Sequence, residues 1–422
     1  MRLEQGTTPV APGGGPPGVR VVLDARPLQE PDRAPTTAAY LGGLLGAFDA
    51  EPLAGESFAL LLRSDLDDPT EQYANLSIVG RRLMPPTRLL RSAALTVDPF
   101  VLRGASLGAA WRAQRSGASG AVYHTAAGAV PLLARIPTVV TLLDLAPWEL
   151  PDAWQRSATS RFGQRLRAQL LRDAAAVIVV TPGVAVAARR LLRLRRDRLR
   201  VVPLAPRPAF RAPVDEAAVR AERQRLGLGD RYFVYSGRYD ARQDLGSLFR
   251  ALAALSSAGR PASLGAETEW PPRLLLVGAS PDDRAAVARA AARQDVADLL
   301  AYAPALEPNR LATLVSGARA AVLPVVSDAA GLAATEAIAA GRPVIASAVG
   351  ALPEVVGPAG ILVEPRDPAR LAVALSTAWA DDRVHAGLSE AARNRAASMQ
   401  RTWADVARET RAVYAEVGVR TS

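Results

Sequence analysis

The chain has 422 residues, 49% of them hydrophobic and 22% charged, and a formal net charge of +10. That length suits two domains of ordinary size, each able to bury its own core. With no cysteine and only two histidines, neither a disulfide framework nor a thiolate or histidine metal site is expected.

Residues 1–18, which contain the run PGGGPPG, read as a disordered leader without the basic start and apolar stretch of a signal peptide. A cytoplasmic protein is therefore expected. No apolar run approaches the roughly 20 residues that span a bilayer. Short apolar runs at Val19–Asp24, Phe58–Leu62, Ala121–His124, Thr138–Leu143, Ala176–Val180 and Leu199–Pro203 alternate with helical stretches. This alternation predicts a parallel sheet covered on both faces, hence a doubly wound domain over residues 19–205.

All 51 basic residues are arginines, and they cluster: residues 156–211 hold fourteen against Asp173 and Asp197. Val186–Arg200 reads as an amphipathic helix with Leu191, Leu192 and Leu194 beside Arg189, Arg190, Arg193, Arg195 and Arg196. Such a helix suits the surface of an anionic bilayer, at the inner face of the membrane, although a solvated arginine-rich face gives the same pattern. No aromatic interleaving or binding motif points to nucleic acid.

Residues 206–228 are expected to form a linker, beginning in the proline-rich segment 203–213 and ending in a helix at about 215–226. A second doubly wound domain is predicted over 229–390. Its first strand is Tyr232–Ser236, Gly237 makes a tight turn, Arg238 leaves the strand end and Leu245–Leu255 is a helix. The Arg238 guanidinium there could pair with a diphosphate through two prongs.

Leu274–Val277 and Ala320–Pro324 add strands, and a loop with Asp328 and Gly331 leads into a helix from Leu332 to Ala340, closed by Gly341. Pro343–Ala346 is a further strand, Leu352–Val356 a short helix and Gly360–Val363 the last strand. In such sheets ligands sit beyond the carboxyl ends of the strands. Glu336, early in its helix, could accept hydrogen bonds from two neighbouring hydroxyls of a ribose. Ala391–Val417 reads as helical.

The acid, glycine and acid of Asp328, Gly331 and Glu336, followed by GRPVIAS, ALPEVV and GPAGILVEP, resemble the family-4 (group 1) glycosyltransferases. So does FVYSGRYDARQDL around Arg238. The resemblance implies a GT-B fold, two Rossmann-like domains facing a central cleft, with a last helix over residues 391–422 returning towards the first domain. It implies transfer of a sugar from a nucleotide diphosphate sugar to a lipid-linked or polysaccharide-precursor acceptor, retaining configuration and using neither metal nor cofactor. By this resemblance Arg238 and Asp328 are the catalytic candidates. Gly237, Arg238, Arg242, Gln243, Gly331, Leu332 and Glu336 bind the donor, and Tyr40, His124 and Asp144 lie on the acceptor side.

The chain departs from the family pattern at several of these positions. The glycine-rich turn and Arg-Tyr pair become Thr36, Thr37, Ala38, Ala39 and Tyr40. A frequent histidine becomes Leu143, the family lysine becomes Gln243, and the first acid is the shorter Asp328. Loss of preorganised charge at a diphosphate site raises the barrier. A catalytically degenerate relative that binds a nucleotide sugar or a pathway partner without turnover therefore stays open as the other reading.

Overall fold

The computed structural model describes residues 19–84, 120–126, 130–132, 136–262 and 264–418. The expected leader at 1–18 lies outside them. Two parallel sheets organise the chain. The first contains β1 (Arg20–Asp24), β2 (Ser57–Arg63), β3 (Ile78–Met84), β4 (Ala121–Thr125), β5 (Thr138–Thr141), β6 (Ala176–Val179) and β7 (Leu199–Val201), in the order β3-β2-β1-β4-β5-β6-β7. The second contains β8 (Phe233–Ser236), β9 (Leu274–Val277), β10 (Leu300–Ala303), β11 (Ala320–Leu323), β12 (Val344–Ser347) and β13 (Gly360–Val363), in the order β10-β9-β8-β11-β12-β13.

Their central strands are continuous apolar runs because both faces are covered: β8, β9, β11 and β12 are buried along nearly their whole length. Two strands escape the sequence reading. β3 reads IVGRRLM and is largely exposed, while β10 reads LAYA with its middle residues half-exposed. Edge strands of this kind lack the apolar run that marks an interior strand.

Each sheet reverses its winding beside one strand pair, β1 and β4 in the first and β8 and β11 in the second. These reversals open crevices at the carboxyl ends of the strands. Residues 391–417, expected as one helix, form the end of helix Asp382–Ser398 and then a second helix, Trp403–Gly418. Arg401 fixes the join between them, donating to the Pro203 carbonyl at 2.7 Å and pairing with Glu409. The last helix packs on helix Pro35–Ala50 of the first domain, where Arg411 forks onto Glu56 and Arg200 pairs with Glu416.

The expected amphipathic helix is shorter than its sequence pattern. Helix Pro182–Leu192 stops at Arg193, which takes a left-handed φ of 56°, and a turn then leads into β7. Much of the arginine excess in 156–211 is also spent internally: Arg195 pairs with Asp197, Arg198 caps the Ala174 carbonyl and Arg211 caps those of Met399 and Arg401. Among the described residues no helix is long and apolar enough to cross a membrane.

Candidate active site between the domains

β8 and β11 are neighbours, so the segments leaving their carboxyl ends lie side by side. From β8 come Gly237 and Arg238. Gly237 has no side chain for a packing reason: a Cβ there would stand 2.8 Å from the Tyr235 hydroxyl, which donates to the Arg238 carbonyl. Arg238 reaches across to the first domain, its Nη2 donating to the Arg33 carbonyl at 2.8 Å, with Asp240 at 3.6 Å. Burial, and the neighbouring Arg242 cation, lower its pKa.

From β11 comes the loop of Asp328 and Gly331. Gly331 adopts φ 62° at the start of helix Leu332–Ala339, a left-handed conformation that glycine takes without steric cost. Asp328 turns inward: its Oδ1 accepts the amides of Gly331 at 2.8 Å and Ala330 at 3.0 Å. Burial raises its pKa against the pull of those amides. Asp328 thus braces its own loop by occupying two of its backbone N–H groups. Ala329, Ala330 and Leu332 join the apolar core of the first domain, so this loop is also an interdomain contact.

Glu336, 5% exposed, borders a cavity of about 20 Å³ together with Ser236, the last residue of β8, and Phe210. That volume holds about one water. Both carboxylate oxygens are engaged by Arg207, Nε to Oε1 at 2.5 Å and Nη2 to Oε2 at 2.9 Å. Burial raises the Glu336 pKa and the Arg207 pair opposes it.

Arg242 faces the opposite wall. It pairs with Asp240 on its own loop and with Asp144 of the first domain, Nε to Oδ1 at 3.2 Å, and it lies 4.4 Å over the Trp154 ring. Asp144 also accepts the Ala146 amide at 2.9 Å. Burial works to raise the Asp144 pKa, but the Arg242 cation outweighs it and holds the carboxyl below the usual range. Nearby, the Ser327 hydroxyl donates to Glu149 at 2.5 Å and the Gly183 amide to Glu354 at 2.5 Å. The two domains are therefore joined across the cleft by the Asp144–Arg242 ion pair and by hydrogen bonds, and the Asp144 carboxylate competes with any other anion for the Arg242 guanidinium.

Asp144→Asn removes that internal competitor, so about tenfold tighter binding of a nucleoside diphosphate is expected in calorimetry, alongside lower thermal stability of the unliganded protein. Unchanged affinity would sink the idea of competition. The sign of the pH effect follows from the depressed pKa. The Asp144 contribution to the closed cleft is complete above the ordinary carboxylate pKa and is lost as pH falls through the lower folded value.

Tyr40 and His124 require correction as acceptor-side residues, because the structure buries both in the first domain. His124 Nε2 and the Tyr40 hydroxyl each lie 2.9 Å from Thr141 Oγ1, and the Tyr414 hydroxyl is 2.6 Å from His124 Nδ1. Burial pushes the His124 pKa down to about 3 and keeps the ring neutral. The reason is topological: β4 is an interior strand, and the face carrying His124 is covered by helix Trp403–Gly418. Leu143 likewise belongs to the core. Gln243 bridges Val325 through its backbone, while its amide Nε2 is buried without a partner among the described residues.

Arg207, Trp154, Glu149 and Ser327 were not legible as site residues. All four act between segments far apart in sequence, and no local spacing marks them.

Two Rossmann-like domains meeting at the carboxyl ends of their strands have the arrangement of the GT-B fold. The family description "Glycosyl transferases group 1" matches residues 230–381. The D-inositol 3-phosphate glycosyltransferase of Jonesia denitrificans is 30% identical over 69% of this chain and 68% of its own length. The protein of the same name from Acidothermus cellulolyticus is 34% identical over 42% of this chain, a stretch that spans only 40% of that relative. Two solved structures share the fold. Sucrose-phosphate synthase from Thermosynechococcus elongatus matches with TM-score 0.69 and 21% identity, over 94% of this chain and 98% of that one. Anabaena Alr3699/HepE in complex with UDP-glucose matches with TM-score 0.67 and 16% identity, over 94% and 99%. The chain belongs to the group 1 glycosyltransferases, a family of nucleotide-sugar-dependent transferases, and has their GT-B fold.

Proposed function

We propose that this protein moves a sugar from a nucleotide diphosphate sugar to an anionic acceptor, with retention of configuration and without a metal. The observation that carries the reading is the shared cavity of Glu336 and the β8 strand end from which Arg238 leaves. Glu336 holds the ribose, Arg238 and Arg242 take the diphosphate, and departure of the nucleoside diphosphate is stabilised by those cations. Arg242 supplies the positive charge that Gln243 lacks. The UDP-glucose held by the HepE neighbour supports a nucleotide sugar in this cleft. The family match and the relatives favour the transferase over the non-catalytic reading.

An anionic acceptor is supported by Arg167, which lies 4.9 Å over Trp148 with its Nε buried and unpartnered among the described residues. Burial lowers its pKa, and Asp144 is the carboxylate that opposes the shift. The curated relatives are named for a phosphorylated cyclitol, itself an anion, and a lipid-linked phosphate is the other candidate. Calorimetric titration with UDP-, GDP- and ADP-sugars, followed by product analysis with D-inositol 3-phosphate or lipid-linked phosphates, tests the proposal. Submillimolar binding of one donor and transfer to an acceptor are expected. Absence of any donor binding would reject the reading.

A peripheral membrane contact rests on a narrower surface than the sequence pattern. Phe162 is 57% and Val186 63% exposed, each on a helix that also exposes arginines, including Arg161, Arg165, Arg189 and Arg190. Co-sedimentation with anionic vesicles at low salt, released at high salt, is expected. Failure to sediment at low salt would remove this contact.

A further inference from the structure

Arg207 belongs to the segment that joins the two domains, between β7 and helix Glu216–Arg225. Its side chain is nevertheless built into the second domain. The guanidinium lies 5.2 Å over Phe210, which is 2% exposed and packs against helices Pro308–Gly317 and Leu332–Ala339. From there it forks onto Glu336, whose side chain is 6% exposed against 23% for Arg207.

A carboxylate offers about four lone-pair sites, two on each oxygen. The fork uses one on each, and the Arg207 backbone amide leans on the same carboxylate, so at most two sites remain for a ligand. A vicinal diol presents two hydroxyl donors at a similar spacing. The ionised form matters because hydrogen bonds to a carboxylate are about twice as strong as neutral ones. Burial alone drives this carboxyl towards its protonated form, in which one oxygen becomes a donor and stops accepting. The planar fork also fixes the carboxylate orientation, which a flexible ammonium would not do.

We infer that Arg207 is a positioning residue of the donor site: the linker guanidinium fixes an ionised Glu336 so that its remaining lone pairs take the two ribose hydroxyls of the nucleotide. The inference rests on the donor-site reading above. It also ties the nucleotide pocket to the segment connecting the two domains, so ribose recognition depends on how that segment is seated.

The test is calorimetry of the full-length protein with UDP, GDP and ADP and with their 2′-deoxy counterparts. The wild type is expected to prefer the ribonucleotide by about tenfold or more, the loss of one hydrogen bond to a charged group. Arg207→Ala should weaken the ribonucleotide by about tenfold or more and the deoxynucleotide, which keeps one of the two hydroxyls, by clearly less, so that the ratio falls towards one. Arg207→Lys keeps the charge without the fork and should give an intermediate ratio. If Arg207→Ala does not fold, Arg207→Lys carries the same comparison. Equal weakening of both nucleotides, with the wild-type ratio retained, would make Arg207 a structural residue and overturn the inference alone. Wild-type protein that binds none of these nucleotides would overturn the donor reading and this inference with it.

Discussion

Glu336→Ala is expected to weaken nucleoside diphosphate binding by about a hundredfold. A ribose diol makes two hydrogen bonds to an ionised acceptor, each worth about 1.5 to 3 kcal/mol. Both disappear when the carboxylate is removed. The variant should still fold, because the guanidinium left behind is 23% exposed and can recruit water. Breaking the pair should therefore cost less than the roughly 3 to 5 kcal/mol of a fully buried one. Arg238→Ala is expected to act differently, by removing charge from the departing diphosphate. Its effect should fall mainly on turnover, with a barrier increase of about 2.7 to 4 kcal/mol by analogy with the loss of an oxyanion donor. Titration and single-turnover kinetics on both variants separate these effects. Wild-type affinity in Glu336→Ala together with wild-type turnover in Arg238→Ala would dissolve the donor site as drawn.

The second large effect lies in the seating of the last helix on the first domain. Trp403, at the start of the last helix, is 8% exposed and packs edge-on against Tyr40 at 6.1 Å between ring centroids. Its ring covers Gly43 so closely that a Cβ on that residue would lie 2.3 Å away. Trp403→Ala is expected to destabilise the first domain by about 3 to 5 kcal/mol, the range for deleting a large buried aromatic. Urea denaturation followed through the first-domain transition measures it, and a loss under about 1 kcal/mol would show that the helix is seated by other contacts. Gly43→Val should give a comparable loss by pushing the same ring out of place.

The fold was readable because its signals are local. Apolar strands such as FVYS, LLLV and AAVL, separated by helical stretches, carry the doubly wound pattern in their own composition. The two strands that were missed, β3 and β10, are partly exposed and lack that composition. The break in the arginine-rich helix was missed for a related reason. A single left-handed residue, Arg193, ends it without the glycine that usually announces a stop.

The site was readable only in part. Gly237, Arg238, Asp328 and Gly331 could be placed after strand ends, and Glu336 in the helix that follows, from the chain alone, because strand, turn and helix succeed one another there within a few residues. The partners of these groups could not. His124 looked available to an acceptor because a lone histidine carries no mark of burial, and only the crossing of helix Trp403–Gly418 over β4 shows it to be a neutral core residue.

Sequence by itself determined the alternation of strand and helix, the glycine turns and the identity of the charged groups at the strand ends, since each is fixed by residues a few positions apart. Tertiary structure decided what those charges meet: Arg207 on Glu336, Asp144 on Arg242, Arg238 on the Arg33 carbonyl. Electrostatic pairing depends on distance in space and on desolvation, and contacts between residues 98, 129 and 205 positions apart leave no periodic trace along the chain.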